Sequence, residues 1–340
     1  MSVTMRDVAQ HAGVSITTVS HVLNSTREVS EDLTIRVQQA VEELGYKHRS
    51  RRIAKPAQTY MIALLLPDPS DEFFQELARG VEEHAEAHMF NIVSCNTNED
   101  PQREQFYSLL MQHRGVQGLI IAPTTADASC LQSVVSSTIP VVLVDRHIPS
   151  LDVHQVYSDN LGGAVAATEH LLGLGHKRIG LITGMRGITT TENRLNGYRK
   201  ALHNFGIPED ESLIVNGRSN IEEGYAAAQK ALAQGDVTAI LSTNTRMTLG
   251  VLRFLRDGNF HCPSGVSRSV SLVSFDDPCW AESMCPPLTA VAQDPYGMGY
   301  TAGELLFESI KGEADLTHKK QHIELETKLI VRESSGPPPM

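Results

Sequence analysis

The sequence has no cysteine pair at metal-binding spacing, no apolar run of membrane-spanning length and no surplus of positive charge. Its five cysteines, Cys95, Cys130, Cys262, Cys279 and Cys285, are odd in number and form no C-x-x-C. That argues against a disulfide framework or a cysteine zinc site, and leaves them as core or bystander thiols in a reducing compartment. No uninterrupted apolar stretch approaches the roughly 20 residues of a membrane helix. The opening MSVTMRDVAQ carries no basic-then-apolar signal pattern, so a cytoplasmic location is expected. The signatures G-x-S-x-G, G-x-x-x-x-G-K-[ST] and H-E-x-x-H are missing too. The 14 histidines are scattered, and His84 and His88, four apart, read as a solvated helix face rather than a metal site. No enzyme activity, metal or cofactor is expected.

What is present is a chain of 340 residues with ordinary globular composition, 41% hydrophobic and 20% charged, long enough for two or three domains. The net charge of −11 is unevenly spread. Residues 1–60 hold eight basic and six acidic side chains, a balance of +2 that leaves −13 for the rest. Five of the basic residues fall between Lys47 and Lys55 with no acid among them. This suggests a small phosphate-facing module joined to a larger acidic body.

The first 46 residues read as three short helices. Thr4 with Asp7 three residues later fits a capping box, Val8, Ala9 and Ala12 form an apolar face, and Gly13 supplies a turn. Ser15 is placed to cap a second helix over 16–24, with Val19, Val22 and Leu23 inward. A third opens at Ser30 and carries Ile35, Val37, Val41 and Leu44 before Gly45. Two helices flanking a Gly-Val-Ser turn over a third match a helix-turn-helix, although the spacing alone also suits a capped three-helix bundle with no DNA role. In a helix-turn-helix the second helix enters the major groove. Ile16, Thr17 and His21 then face base edges, while Ser15, Thr18, Ser20 and Asn24 are short hydrogen-bonders suited to phosphate oxygens. Thr4 and Ser30, at the starts of their helices, join this candidate DNA-binding set.

From residue 60 apolar strands alternate with amphipathic helices. Strands are expected at 61–66, 91–95, 118–122, 140–144, 178–183, 238–243 and 270–275, and helices at 72–88, 101–113, 161–174, 192–205, 222–234 and 246–257. The order repeats at an offset of about 117–130 residues, which predicts two parallel-sheet α/β lobes with a cleft at the strands' carboxyl ends. We expect a headpiece over 1–46, a basic hinge over 47–59, a sensor over 60–335 and a tail over 336–340. Lobe one is expected at about 60–158 and 289–317, and lobe two at about 159–288 and 318–335.

The stretches MRDVAQHAGVSITTVSHVLN and VSEDLTIRVQQAVEELGY closely resemble the headpiece of the lactose/galactose repressor (LacI/GalR) family. Further on, Asp159-Asn160, ATEHLLGLGHKRI, Arg194-Leu195-Asn196-Gly197-Tyr198, Phe275-Asp276-Asp277 and Leu329-Ile330-Val331-Arg332 extend the resemblance over nearly the whole chain. It implies a helix-turn-helix headpiece on a periplasmic-binding-protein-like sensor, and hence a transcriptional regulator, expected to be a repressor. It also puts Ile16, Thr17 and His21 at base-reading positions. The family usually carries Arg where this chain has His21, and a hinge Leu that wedges into the minor groove. Here the hinge is basic and about one residue short, so Arg51 and Arg52 are expected to grip the minor groove or phosphates and Ile53 to replace the Leu; a flexible basic linker is the alternative.

By the same resemblance the effector contacts are Phe73, Phe74, Asp145, Arg146, Tyr157, Arg194, Asn244, Arg246 and Asp276. Asp276 can accept from sugar hydroxyls or pair with Arg194, and Phe74 can stack on a sugar or be plain core. Arg146, Arg194 and Arg246 around one cleft favour a sugar acid or sugar phosphate over a plain sugar, unless Arg246 pairs with acids of the other lobe. The expected partners are therefore double-stranded operator DNA, a small sugar-like effector and a second copy of the chain, with no membrane. No leucine heptad follows Glu333, so a homodimer on a pseudo-palindromic site is expected rather than a tetramer.

Overall fold

The computed structural model describes residues 3–24, 29–46, 60–260, 269–312 and 319–339. The chain divides into two compact units, Met1–Thr59 and Tyr60–Met340. The first contains α1 (Met5–Ala12), α2 (Ile16–Asn24) and α3 (Glu31–Glu43). Thr4 caps α1 through a complete capping box with Asp7, which holds the Asp7 carboxyl below its usual range through hydrogen bonds to the Thr4 side chain and backbone. Gly13 ends the helix at φ 64°, a left-handed conformation in which a Cβ is strained. Val8, Ala9, Ala12, Val19, Val37 and Ala40 form the core. Arg36 of α3 donates to the Ala12 carbonyl at 2.7 Å, satisfying one acceptor at the end of α1. Ile35, carried on α3, is 48% exposed.

The second unit opens with β1 (Tyr60–Leu66), α4 (Glu72–Ala87), β2 (Phe90–Asn96), α5 (Pro101–His113), β3 (Gly118–Ile121), α6 (Gln132–Val135), β4 (Val141–Val144) and β5 (His154–Ser158). A second run follows: α7 (Asn160–Gly173), β6 (Ile179–Thr183), α8 (Thr189–Asn204), β7 (Ile214–Asn216), α9 (Ile221–Leu232), β8 (Ala239–Ser242), α10 (Thr245–Asp257), β9 (Ser271–Phe275) and β10 (Thr289–Ala292). The chain closes with α11 (Pro295–Lys311), β11 (His322–Leu325) and β12 (Lys328–Ile330).

Two six-stranded sheets result, ordered β11-β5-β4-β3-β1-β2 and β12-β10-β9-β8-β6-β7. The strand pairs are parallel except for antiparallel β10–β12. Strands such as β1 and β3 read as unbroken apolar runs because helices cover both faces of each sheet. Helices α4 and α11 approach closely: a Cβ on Gly299 would lie 1.9 Å from the Leu77 carbonyl oxygen. His84 and His88 also belong to this contact, stacked at 4.7 Å and packed on Phe307, rather than forming a plain solvated face.

The lobe boundaries expected late in the chain need correction. Residues 289–292 pair with β9 in the second sheet, and residues 322–325 pair with β5 in the first. The chain thus crosses between lobes near 159, 293 and 326. The apolar pattern could place a strand there but could not choose its sheet, because pairing is a long-range choice.

Candidate functional site

In the N-terminal unit, Ser15 Oγ accepts from the Thr18 backbone N–H at 3.0 Å and meets Thr18 Oγ1 at 2.8 Å. These two hydroxyls therefore start α2, whose first turn presents exposed Ile16 and Thr17, while Ser20 and His21 are half-buried. Thr4 has its hydroxyl on the Asp7 carboxylate at 2.7 Å. Ser30 caps α3 without a side-chain bond, its carbonyl accepting from Thr34 Oγ1 at 3.1 Å. Asn24 is the last residue of α2. Arg51, Arg52 and Ile53 lie outside the described residues.

In the larger unit, a cavity with about 680 Å³ of empty space, counting its open mouth, lies between the lobes. Eight of the nine expected residues line it: Phe73, Phe74, Asp145, Arg146, Arg194, Asn244, Arg246 and Asp276. Tyr157 is not among them; it stacks on His147 at 4.4 Å. Along a strand successive side chains alternate faces, so a sequence match near the strand's end does not settle which way this ring turns. The lining also contains residues that the sequence reading missed, among them Asp68, Asp71, Glu99, Thr190, Thr191 and Gln293. Asp68, Asp71, Glu99 and Gln293 come from loops, where periodicity offers no signal, and Thr190 and Thr191 from the first turn of α8. Asp71 has a local one, since its carboxylate caps α4 on the Phe73 N–H at 3.0 Å.

The three arginines are already engaged. Arg146 grips Glu99 with two bonds of 2.7 Å, donates to the Pro123 carbonyl at 3.0 Å and stands 3.5 Å from Asp145. Arg194 donates to Asn160 Oδ1 at 2.8 Å and to the Thr243 carbonyl, with its guanidinium 3.8 Å from the centre of the Phe275 ring. Arg246 reaches across the cleft to Asp68 at 2.8 Å and Ser70 at 3.2 Å. Pairing of Arg246 with the other lobe, one of the two alternatives, is thus the arrangement seen. Asp276 does not close on Arg194; it accepts from Gln293 Nε2. Asn244 caps α10, its Oδ1 accepting from the Met247 N–H at 2.8 Å. Phe74 belongs to the lobe-one core and meets Phe73 edge-on, ring centres 5.2 Å apart.

Burial raises several carboxyls. Asp145 is pushed up to about 6 by burial, against the pull of Arg146 and Arg194. Asp71 rises to about 6 through burial and the nearby Asp276. Behind the cleft wall Glu104, fully buried, rises to about 7. Its Oε2 accepts from the Thr124 N–H at 2.8 Å and its Oε1 has no partner. Five carboxyls (Asp68, Asp71, Glu99, Asp145, Asp276) face three arginines around the cavity, so the described lining offers acceptors more readily than unpaired positive charge.

Comparison with known proteins gives a consistent result. Residues 4–48 match the model of bacterial regulatory proteins of the lacI family, and residues 59–329 match that of periplasmic binding proteins and the sugar-binding domain of the LacI family. The HTH-type transcriptional regulator DegA of Bacillus subtilis is 35% identical over 99% of both chains. The HTH-type transcriptional repressor PurR of Haemophilus influenzae is 30% identical over 97% of this chain and 98% of its own. A solved complex of the transcriptional regulator CelR with cellobiose superposes with a TM-score of 0.71 at 31% identity, covering 98% of this chain and all of that one.

Proposed function

Because the chain belongs to the LacI family of DNA-binding transcriptional regulators, we propose that it is a repressor that binds a pseudo-palindromic operator as a homodimer and responds to a neutral sugar held between its sensor lobes. Its relatives are regulators rather than enzymes. The observation that carries the effector reading is the interlobe cavity, walled by carboxylates and closed by a pair from opposite lobes, Arg246 and Asp68.

The expectation of an acidic effector rested on three arginines, and that support is lost once each has a partner within the protein. An anionic ligand would have to displace Glu99 from Arg146, or sit against Asp145 and Asp276 in a site with more carboxyls than arginines. A sugar hydroxyl instead donates to these carboxylates without breaking an ion pair. Phe73 offers an aromatic face for the sugar's apolar side. A ligand touching both lobes favours one degree of closure, and any operator affinity that differs between closure states is then coupled to it.

The dimer reading rests on the size of the headpiece. One helix in a major groove contacts only a few base pairs, and two half-sites give the specificity that one lacks. On α2, Ile16 is 43% exposed, an apolar surface suited to a thymine methyl. The test is in vitro selection from random DNA with the full-length protein, followed by gel shifts of the recovered site with and without neutral sugars and their acid or phosphate derivatives. Recovery of a palindrome whose binding changes with a neutral sugar supports the proposal. Recovery of no common sequence, or a response confined to acidic sugars, overturns it.

A further inference from the structure

The first sheet ends at β11, on the edge opposite β2. There the loop after β4 runs back past the starts of β5 and β11 and leaves a pocket with about 800 Å³ of empty space, counting its open mouth. Pro149, Ser150, Leu151 and Asp152 line it from the loop, and Lys319, Lys320 and His322 from the start of β11. This lining belongs to lobe one alone and shares no residue with the interlobe cavity.

A buried glutamine holds the pocket together. Gln155 Oε1 accepts from the Ile148 N–H at 2.8 Å. Its Nε2 lies 3.0 Å from the Ile148 carbonyl, 3.2 Å from the Leu151 carbonyl and 3.3 Å from His322 Nε2. One side chain thus fixes the loop against the wall that carries the lysines. The charge here is the reverse of the cleft's. Among the described residues neither Lys319 nor Lys320 has an ion-pair partner, and Asp152 is the one carboxylate in the described lining. Burial first, then Lys320 and His322, hold the His154 imidazole below its usual range against the pull of Asp152. On a body whose net charge is −13, this pair of lysines is a local attractor for anions.

We propose that this pocket is a regulatory site for a small phosphorylated molecule, with the phosphate on Lys319 and Lys320 and the rest of the ligand against Pro149. A phosphate monoester carries a charge of about −1.5 to −2 at pH 7, which suits two lysines better than the single charge of a carboxylate does. The concave shape suits a free molecule rather than a duplex backbone. The loop also leads to the cleft: Asp145 and Arg146 line the interlobe cavity, and the His147 N–H donates to Thr189 Oγ1 of lobe two at 3.2 Å. A ligand that grips the far end of this loop is thereby coupled to lobe closure.

The test is calorimetry on the full-length protein with inorganic phosphate, pyrophosphate and glycerol phosphate, with sodium chloride adjusted to hold the ionic strength constant. At least one probe is expected to bind with a Kd below about 1 mM. Lys319→Ala with Lys320→Ala should weaken it by at least about tenfold, and Lys319→Arg with Lys320→Arg by less than about threefold. Gel shifts on DNA recovered by selection should show operator affinity changing by at least about threefold when the probe saturates the wild-type protein. No binding of any probe, or binding retained in the alanine variant, overturns the proposal. Binding that leaves operator affinity unchanged overturns the regulatory role. An alanine variant that binds the operator more weakly, and with less salt dependence, in the absence of probe also overturns it, since the lysines would then be contacts to the DNA backbone.

Discussion

Asp145 and Asp276 are structural counterparts, each leaving the corresponding central strand of its lobe in a left-handed conformation. Their φ angles are 60° and 75°. Asp145 follows β4 and donates its N–H to Val156 of β5 at 2.9 Å; Asp276 follows β9 and donates to Val291 of β10 at 2.9 Å. In both sheets the accepting strand is the next neighbour outward. The sharp exit brings both carboxylates to the cleft. Such backbone costs on the order of 1–3 kcal/mol in a residue other than glycine and is concentrated at binding sites, and Asp and Asn tolerate it better than most.

Asp276→Asn should therefore fold normally, because asparagine accepts the same backbone. It removes the charge that strengthens hydrogen bonds from ligand hydroxyls, and effector affinity is expected to fall by about tenfold or more. Operator binding without effector should be unchanged. Calorimetry and gel shifts on the same preparation check both, and an unaltered effector response would exclude Asp276 from the site.

Arg246→Ala removes the ion pair that spans the cleft. Both partners are about a third exposed, so the pair is worth no more than about 1 kcal/mol. Effector affinity should drop by no more than about fivefold, and the wild-type affinity should weaken with added salt more than the variant's does. Equal salt dependence in the two proteins would show that the pair contributes nothing in solution.

Glu104 links stability to pH. Its carboxyl rises from 4.5 to about 7 on folding, through burial that the Thr124 N–H and Arg146 only partly offset, with Glu99 adding repulsion. The folded state thus holds the proton more tightly than the unfolded state, so this group's contribution to stability declines as pH rises from about 4.5 to about 7 and stays at its minimum above. Glu104→Gln should raise stability at pH 8, on the order of 1–3 kcal/mol, with little effect near pH 4.5. Denaturant melts at the two pH values decide it; an equal effect at both would place the cause outside this titration.

His21→Arg should change which base the protein reads. A guanidinium can bond guanine bidentately, and such a pair discriminates by about 1–3 kcal/mol. Selection experiments on the two proteins should differ at one symmetric position in each half-site, with guanine enriched by the variant. Identical logos would remove His21 from the reading surface.

Most helices and strands were legible because their signals are local, though α6 and α11 were not foreseen. The run Met61–Leu66 read as a buried strand, and Thr4 with Asp7 marked the start of α1. Strand β5 was not legible: its sequence HQVYS is largely polar, yet His154 and Gln155 are buried. Gln155 is satisfied there by the Ile148 N–H and carbonyl at 2.8 and 3.0 Å, partners that no pattern of apolar residues reveals.

The sequence by itself determined the two-lobed sensor and the helix-turn-helix unit, since periodicity, caps and motif spacing are properties of neighbouring residues, while its family resemblance supplied eight of the residues that line the cleft. Tertiary structure alone decided what those residues are free to do. Arg146 and Arg246 looked like ligands for an anion until Glu99 and Asp68, 47 and 178 residues away, were found to hold them. Gln293 had no signal at all before the chain's return brought it beside Asp276. Charge pairing acts over a few ångströms of space and is indifferent to distance along the chain, so only the folded molecule shows which charges remain available to a ligand.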